Sequence, residues 1–126
     1  MSGQRLNHWR RANITINSAA LSHNLKRVRA FAPNSKVMAV IKADAYGHGM
    51  LAVARHLAEA DLFAVAMPEE AYALRASGCT QHIIVLHGFS DQNELQKFSE
   101  LNISTVIHQR AQLECLQQST LSSPVD

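Results

Sequence analysis

Two cysteines, Cys79 and Cys115, stand in 126 residues, too few for the disulfide framework that staples a small secreted domain. Charge of one sign is scarce as well. Lys and Arg number 12 against 10 Asp and Glu, and the formal net charge of +2 supplies no electrostatic footprint for nucleic acid or an anionic membrane as partner. No apolar stretch approaches the roughly 20 residues needed to cross a bilayer, because charges or turn residues interrupt each one. The opening Met1-Ser2-Gly3-Gln4-Arg5 lacks the apolar run of a secretory signal, so the expected compartment is the reducing cytoplasm. What remains is a sequence 47% apolar and 17% charged, the composition of a globular domain or part of one.

Residues 1–12, with Arg5, His8, Trp9, Arg10 and Arg11, show little apolar patterning and read as a flexible basic extension. Ala12 to Asn17 alternates Ile14 and Ile16 with polar neighbours, the period of a half-buried strand. From Asn17 or Ser18 as N-cap, Leu21, Leu25 and Val28 recur at helical spacing until Pro33. Lys36 to Ile41 is a nearly continuous apolar run, which predicts a strand buried on both faces. After the loop Ala43–Gly49, Met50 to Ala60 carries one wide apolar face and reads as a helix. Leu62–Ala66 is a second buried strand, and Pro68, Glu69 and Glu70 open a helix that Gly78 closes, with proline at its first position and acids at its positive end.

The cycle then repeats. His82–Leu86 is a third strand, Asp91 caps a helix bearing Leu95, Phe98 and Leu101, and Ile103–Ile107 is a fourth strand. Gln109–Ser119 is a last helix with Leu113 and Leu116 inward. Regular alternation of strand and helix implies right-handed crossovers and a parallel sheet, either doubly wound or part of an eight-stranded barrel. Pattern leaves both open. A complete barrel needs about 250 residues, so the barrel reading means that only about its first half, four to five strands, is present.

In a barrel, substrate-facing groups sit at the carboxyl ends of strands, and Lys42 directly follows the first apolar run. Burying an ammonium among apolar groups favours the free amine, which can attack a carbonyl to form a Schiff base. Tyr46 offers a phenolic hydroxyl in the same loop, and Gly47 and Gly49 permit close backbone approach by a phosphate-bearing ligand. The same residues also fit a lysine that snorkels to solvent beside glycines that only turn the chain.

The run Val37-Met38-Ala39-Val40-Ile41-Lys42-Ala43-Asp44-Ala45-Tyr46-Gly47-His48-Gly49 closely resembles the cofactor-lysine signature of the alanine racemases, pyridoxal phosphate enzymes with a barrel domain. The likeness extends from about Ile14 to the end, through Phe63-Ala64-Val65-Ala66, Glu69-Glu70-Ala71, Leu74-Arg75 and Leu86-His87-Gly88-Phe89. It implies that Lys42 forms the internal aldimine with pyridoxal 5'-phosphate and, once freed, serves as base on the D-alanine face. It further implies that Tyr46 directs its hydroxyl to the phosphate, and that Val40 and Leu86 line the cofactor pocket. The implied activity is that of an isomerase, interconverting L-alanine and D-alanine for cell-wall peptidoglycan by a two-base mechanism.

The same resemblance makes residues 13–126 the N-terminal part of the barrel domain, with the C-terminal β domain absent and a fifth strand expected to begin near Ser123. In relatives, the second base is a tyrosine of the partner subunit in a homodimer, and the N-terminal strand pairs with the β domain. Little or no activity is therefore expected of the 126 residues alone, and a non-catalytic cofactor binder or an inactive fragment are the alternatives. Seven histidines invite a metal, but His82 and His87 are five apart and project to opposite sides of an extended backbone. His48 reads as a structural hydrogen-bonding residue, His108 has no role in this reading, Tyr72 reads as packing or surface, and both cysteines read as inert.

Overall fold

The computed structural model describes residues 14–126. The expected basic extension, and Ala12 and Asn13 of the expected first strand, lie outside them. Residues 14–17 are irregular rather than extended in a sheet, and Ile14 is 88% exposed. A period-two pattern is only half of a strand; the other half is a partner for its hydrogen bonds.

Helix α1 (Ser18–Phe31) starts where Asn17 accepts the Ala20 N–H at 3.0 Å. Leu25 is buried beneath it, Leu21 half-buried and Val28 exposed. The sheet comprises β1 (Met38–Val40), β2 (Leu62–Val65), β3 (His82–Val85) and β4 (Ile103–Thr105), all parallel. Between β1 and β2 lie a short element, α2 (Lys42–Gly47), and helix α3 (Met50–His56). Helix α4 (Pro68–Ala76) joins β2 to β3, α5 (Gln92–Leu101) joins β3 to β4, and α6 (Arg110–Gln118) follows β4.

Strand order is β1-β2-β3-β4, each beside its neighbour in sequence. A doubly wound sheet reverses direction at a switch point; a barrel does not, so the order selects the barrel. One sheet face is closed by helices. Phe63, Val65, Ile83, Val85 and Ile103 point there and pack with Ala71, Leu74, Leu95 and Phe98, all 1% exposed or less. Phe98 meets Tyr72 and Phe89 edge to face at centroid distances of 6.3 and 6.4 Å. The opposite face carries Val40, Ala64, Ile84 and Ser104 in register.

The expectation that the first strand is buried on both faces is wrong, for Met38 is 44% and Val40 39% exposed. β1 is an edge strand of the sheet, and the helices cover only its other face. The predicted helix from Met50 to Ala60 stops at His56. Its chain must turn there to bring Asp61 beneath β1, where Asp61 accepts the Val37 N–H at 2.7 Å and Arg29 at 3.0 Å. Those two contacts, the Val37 bond first, hold the Asp61 carboxyl below its ordinary range.

Leu101 and Leu113 are exposed, against expectation, while Gln112 is 7% exposed. On helix α6 Leu116 packs on the core as expected, while Gln112 takes the buried position in place of Leu113 because of the backbone groups it satisfies. Beyond α6, Leu121 and Val125 pack on the core and the Thr105 N–H donates to the Asp126 carbonyl at 2.9 Å, so the last residues run beside β4.

Candidate active site

The carboxyl ends of the strands form one rim, here called the top. Ile41 extends β1 by donating its N–H to Ala64 at 2.9 Å and is 2% exposed; Lys42 follows it, half-buried. The next four residues, Ala43, Asp44, Ala45 and Tyr46, all have φ between 52° and 55°. They make a turn of left-handed helix, a conformation that costs an L-residue roughly 1–2 kcal/mol each.

Side chains hold this turn from three directions. Asp44 accepts the Met50 N–H at 2.7 Å, which also caps α3. His48 donates Nδ1–H to the Ala45 carbonyl at 3.0 Å, the structural role expected of it. Glu70, from the first turn of α4, accepts the Ala43 N–H at 2.6 Å through Oε1 and the Ala66 and Met67 N–H groups at 2.8 and 3.0 Å through Oε2. The sequence accounts for Glu70 only as an acid at a helix start; its reach to a residue 27 positions away has no local signal.

Val40 and Leu86 lie on the face away from the helices, since Val40 pairs with Ala64, Ala64 with Ile84, and Leu86 is two residues beyond Ile84. Leu86 continues the ladder, donating to the Val65 carbonyl at 2.9 Å. Tyr46 is 61% exposed, its phenol free to meet a ligand at the rim. A groove of about 420 Å³ opens further along, lined by Met67, His87, Phe89, His108 and Gln112 among others; Lys42 and Tyr46 do not line it. There His108 donates Nε2–H to the His87 carbonyl at 2.8 Å, which accounts for a histidine that sequence left without a role.

Other candidates have structural duties. His82 Nε2 meets Ser104 Oγ at 2.7 Å, and Tyr72 packs against Phe98. Among the described residues no group of three or more His, Cys, Asp or Glu side chains is placed to hold a metal ion, and no helix is long and apolar enough to cross a membrane.

Consecutive parallel strands, each followed by helix, with a lysine opening the first loop of the top rim, define a partial (β/α) barrel of the lysine-bearing kind. The family model described as alanine racemase, N-terminal domain, matches residues 16–125. The biosynthetic alanine racemase of Escherichia coli strain K12 is 47% identical over 114 residues, 90% of this chain and 32% of that protein. The crystal structure of biosynthetic alanine racemase from Pseudomonas aeruginosa superposes with a TM-score of 0.80 at 35% identity, over 86% of this chain and 30% of that one. The alanine racemase structure from Acinetobacter baumannii gives 0.78 at 36% identity, over 80% and 28%. The chain belongs to the alanine racemase N-terminal domain family, and it spans about a third (32%) of the length of the curated relatives it matches.

Proposed function

We propose that this chain supplies the cofactor lysine of an alanine racemase, with Lys42 as that lysine and pyridoxal 5'-phosphate as the cofactor. The observation that carries the reading is the placement of Lys42, half-buried at the carboxyl end of β1 and opening a turn that its surroundings force into an unusual hand. The donor set suits the group. A lysine amine condenses with an aldehyde, the exposed Tyr46 hydroxyl can donate to a phosphate, and the apolar Val40 and Leu86 can flank a flat ring.

When bound, pyridoxal 5'-phosphate supplies the electron sink that makes the α-proton of an amino acid removable. The residues of this chain would do the rest of their half. Lys42 would hold the cofactor through Nζ, and its free amine would move a proton at the α-carbon on the D-alanine side. Tyr46 orients the cofactor by its phosphate. Val40 and Leu86 exclude water from one side.

Inversion needs a second base on the opposite face, which in this reading comes from a partner subunit of a homodimer. Residues 13–126 form the first part of the barrel domain and residues 1–12 precede it. The substrate is alanine, the product feeds peptidoglycan, and the compartment is the cytoplasm.

The test is the Lys42→Ala variant of a longer, active protein that contains this chain. It is expected to lose the borohydride-reducible cofactor absorbance and alanine racemisation together, whereas Tyr46→Phe weakens cofactor retention. Racemisation that persists without Lys42 contradicts the assignment.

A further inference from the structure

We propose that Glu70 is the positioning residue of Lys42: its carboxylate spans from helix α4 to the Lys42–Ala43 peptide and fixes the turn on which the lysine stands. The inference rests on the reading of Lys42 as the cofactor lysine. The Ala43 N–H that Glu70 accepts at 2.6 Å belongs to the same planar peptide unit as the Lys42 carbonyl. Holding that N–H therefore sets the backbone torsion that aims Lys42. It also stands at the point where the chain changes hand, since Ala43 is the first residue with positive φ. Released, a left-handed run of non-glycine residues is favoured to relax to ordinary geometry, and Lys42 moves with it.

Charge and chemistry single out a carboxylate for this place. Its three partners, Ala43, Ala66 and Met67, are all N–H donors on two different loops. An ionised carboxyl is acceptor-only and divides its two oxygens between the loops. It also lies at the positive end of α4, where negative charge is favoured. Glutamine cannot replace it, because turning its one oxygen to either loop aims its NH2 at the other loop's donors. Aspartate keeps the charge at the helix start but is one methylene short of spanning both.

The experiment compares wild type, Glu70→Gln and Glu70→Asp by timed reaction with pyridoxal 5'-phosphate, borohydride reduction and peptide mapping. Lys26, Lys36 and Lys97 serve as internal controls. Amide exchange at Ala43 is followed in parallel. In both variants, Lys42 labelling is expected to slow about tenfold and Ala43 exchange to quicken about tenfold, the size of one lost hydrogen bond to a charged group. The other three lysines, all exposed, are expected to label at the wild-type rate, and amide exchange in β2 and β3 to stay at its wild-type rate, which general loosening of the fold would not leave unchanged. If Glu70→Gln does not fold, Glu70→Asp, whose α4 remains capped, decides the matter. Wild-type labelling of Lys42 and wild-type exchange of Ala43 in a folded variant would overturn the proposal. If wild type itself does not favour Lys42, the cofactor reading falls instead, and Ala43 exchange alone decides whether Glu70 holds the turn.

Discussion

The two rims of the sheet are held by side chains of opposite chemistry. At the bottom, where helices end and strands begin, the leftover backbone groups are carbonyls, and donors gather them. Arg75 donates to Cys79, Gln81, Leu101 and Asn102 carbonyls at 2.7–2.9 Å, and Arg29 donates to the Glu59 carbonyl; the exception is Asp61, which Arg29 also pairs with and which accepts the Val37 N–H. At the top, where strands end and helices begin, the leftover groups are N–H, and acceptors gather them: Asp44, Glu70, Glu94 and the Gln112 oxygen. The polarity of α-helix ends dictates the split.

Within the top rim, Glu70 and Gln112 occupy the same third helical position and each ties its own helix start to the preceding strand's loop. Gln112 meets mixed partners, accepting from His108 and Gln109 at 3.1 and 3.3 Å and donating to the Phe89 carbonyl at 3.1 Å. Gly88 lets it in: a Cβ there would stand 2.2 Å from Gln112 Nε2. An amide fits that set, and a carboxylate fits the all-donor set around Glu70.

Breaking the contrast should cost most where a group is buried with the wrong sign. Gln112→Glu sets a carboxylate against the Phe89 carbonyl in a buried site, with an expected loss of about 3 kcal/mol in urea unfolding. Arg75→Ala strands several bottom-rim carbonyls and is expected to cost about 2–3 kcal/mol, with Arg75→Lys recovering only part because a point charge cannot copy the fork. Burial also lowers the Arg75 pKa, yet four carbonyls keep the guanidinium occupied.

The smallest effect is expected at high pH. Burial first, then the carboxylates of Glu94, Glu69 and Asp91, push the Tyr72 phenol from 10.0 up to about 12, and its hydroxyl has no hydrogen-bond partner among the described residues. Lys97 faces its ring at 5.2 Å. Because the unfolded chain releases this proton first, stability is full below pH 10, falls as pH rises from 10 toward 12, and levels beyond. Unfolding midpoints across that range should show a decline that Tyr72→Phe abolishes.

Much of the scaffold was legible in the sequence because its signals are local. Apolar runs announced β2 and β3, Asn17 and Asp91 announced their caps, and Pro68 and Gly78 bracketed α4. The lysine of the candidate site was legible too, through the run around it. Its conformation was not: Ala43 and Ala45 prefer the right-handed region, and what turns them over is Glu70, far away in sequence. Leu113 misled for a related reason, since periodicity ranks apolar residues while Gln112 won the buried position by the backbone groups it satisfies.

One measurement reaches the central claim most directly. The chain carries four lysines, Lys26, Lys36, Lys42 and Lys97, and limiting pyridoxal 5'-phosphate followed by borohydride and peptide mass mapping reports which of them reacts. Label concentrated on the peptide holding Lys42 is the predicted outcome. Label shared evenly among the lysines, or absent from Lys42, would contradict it.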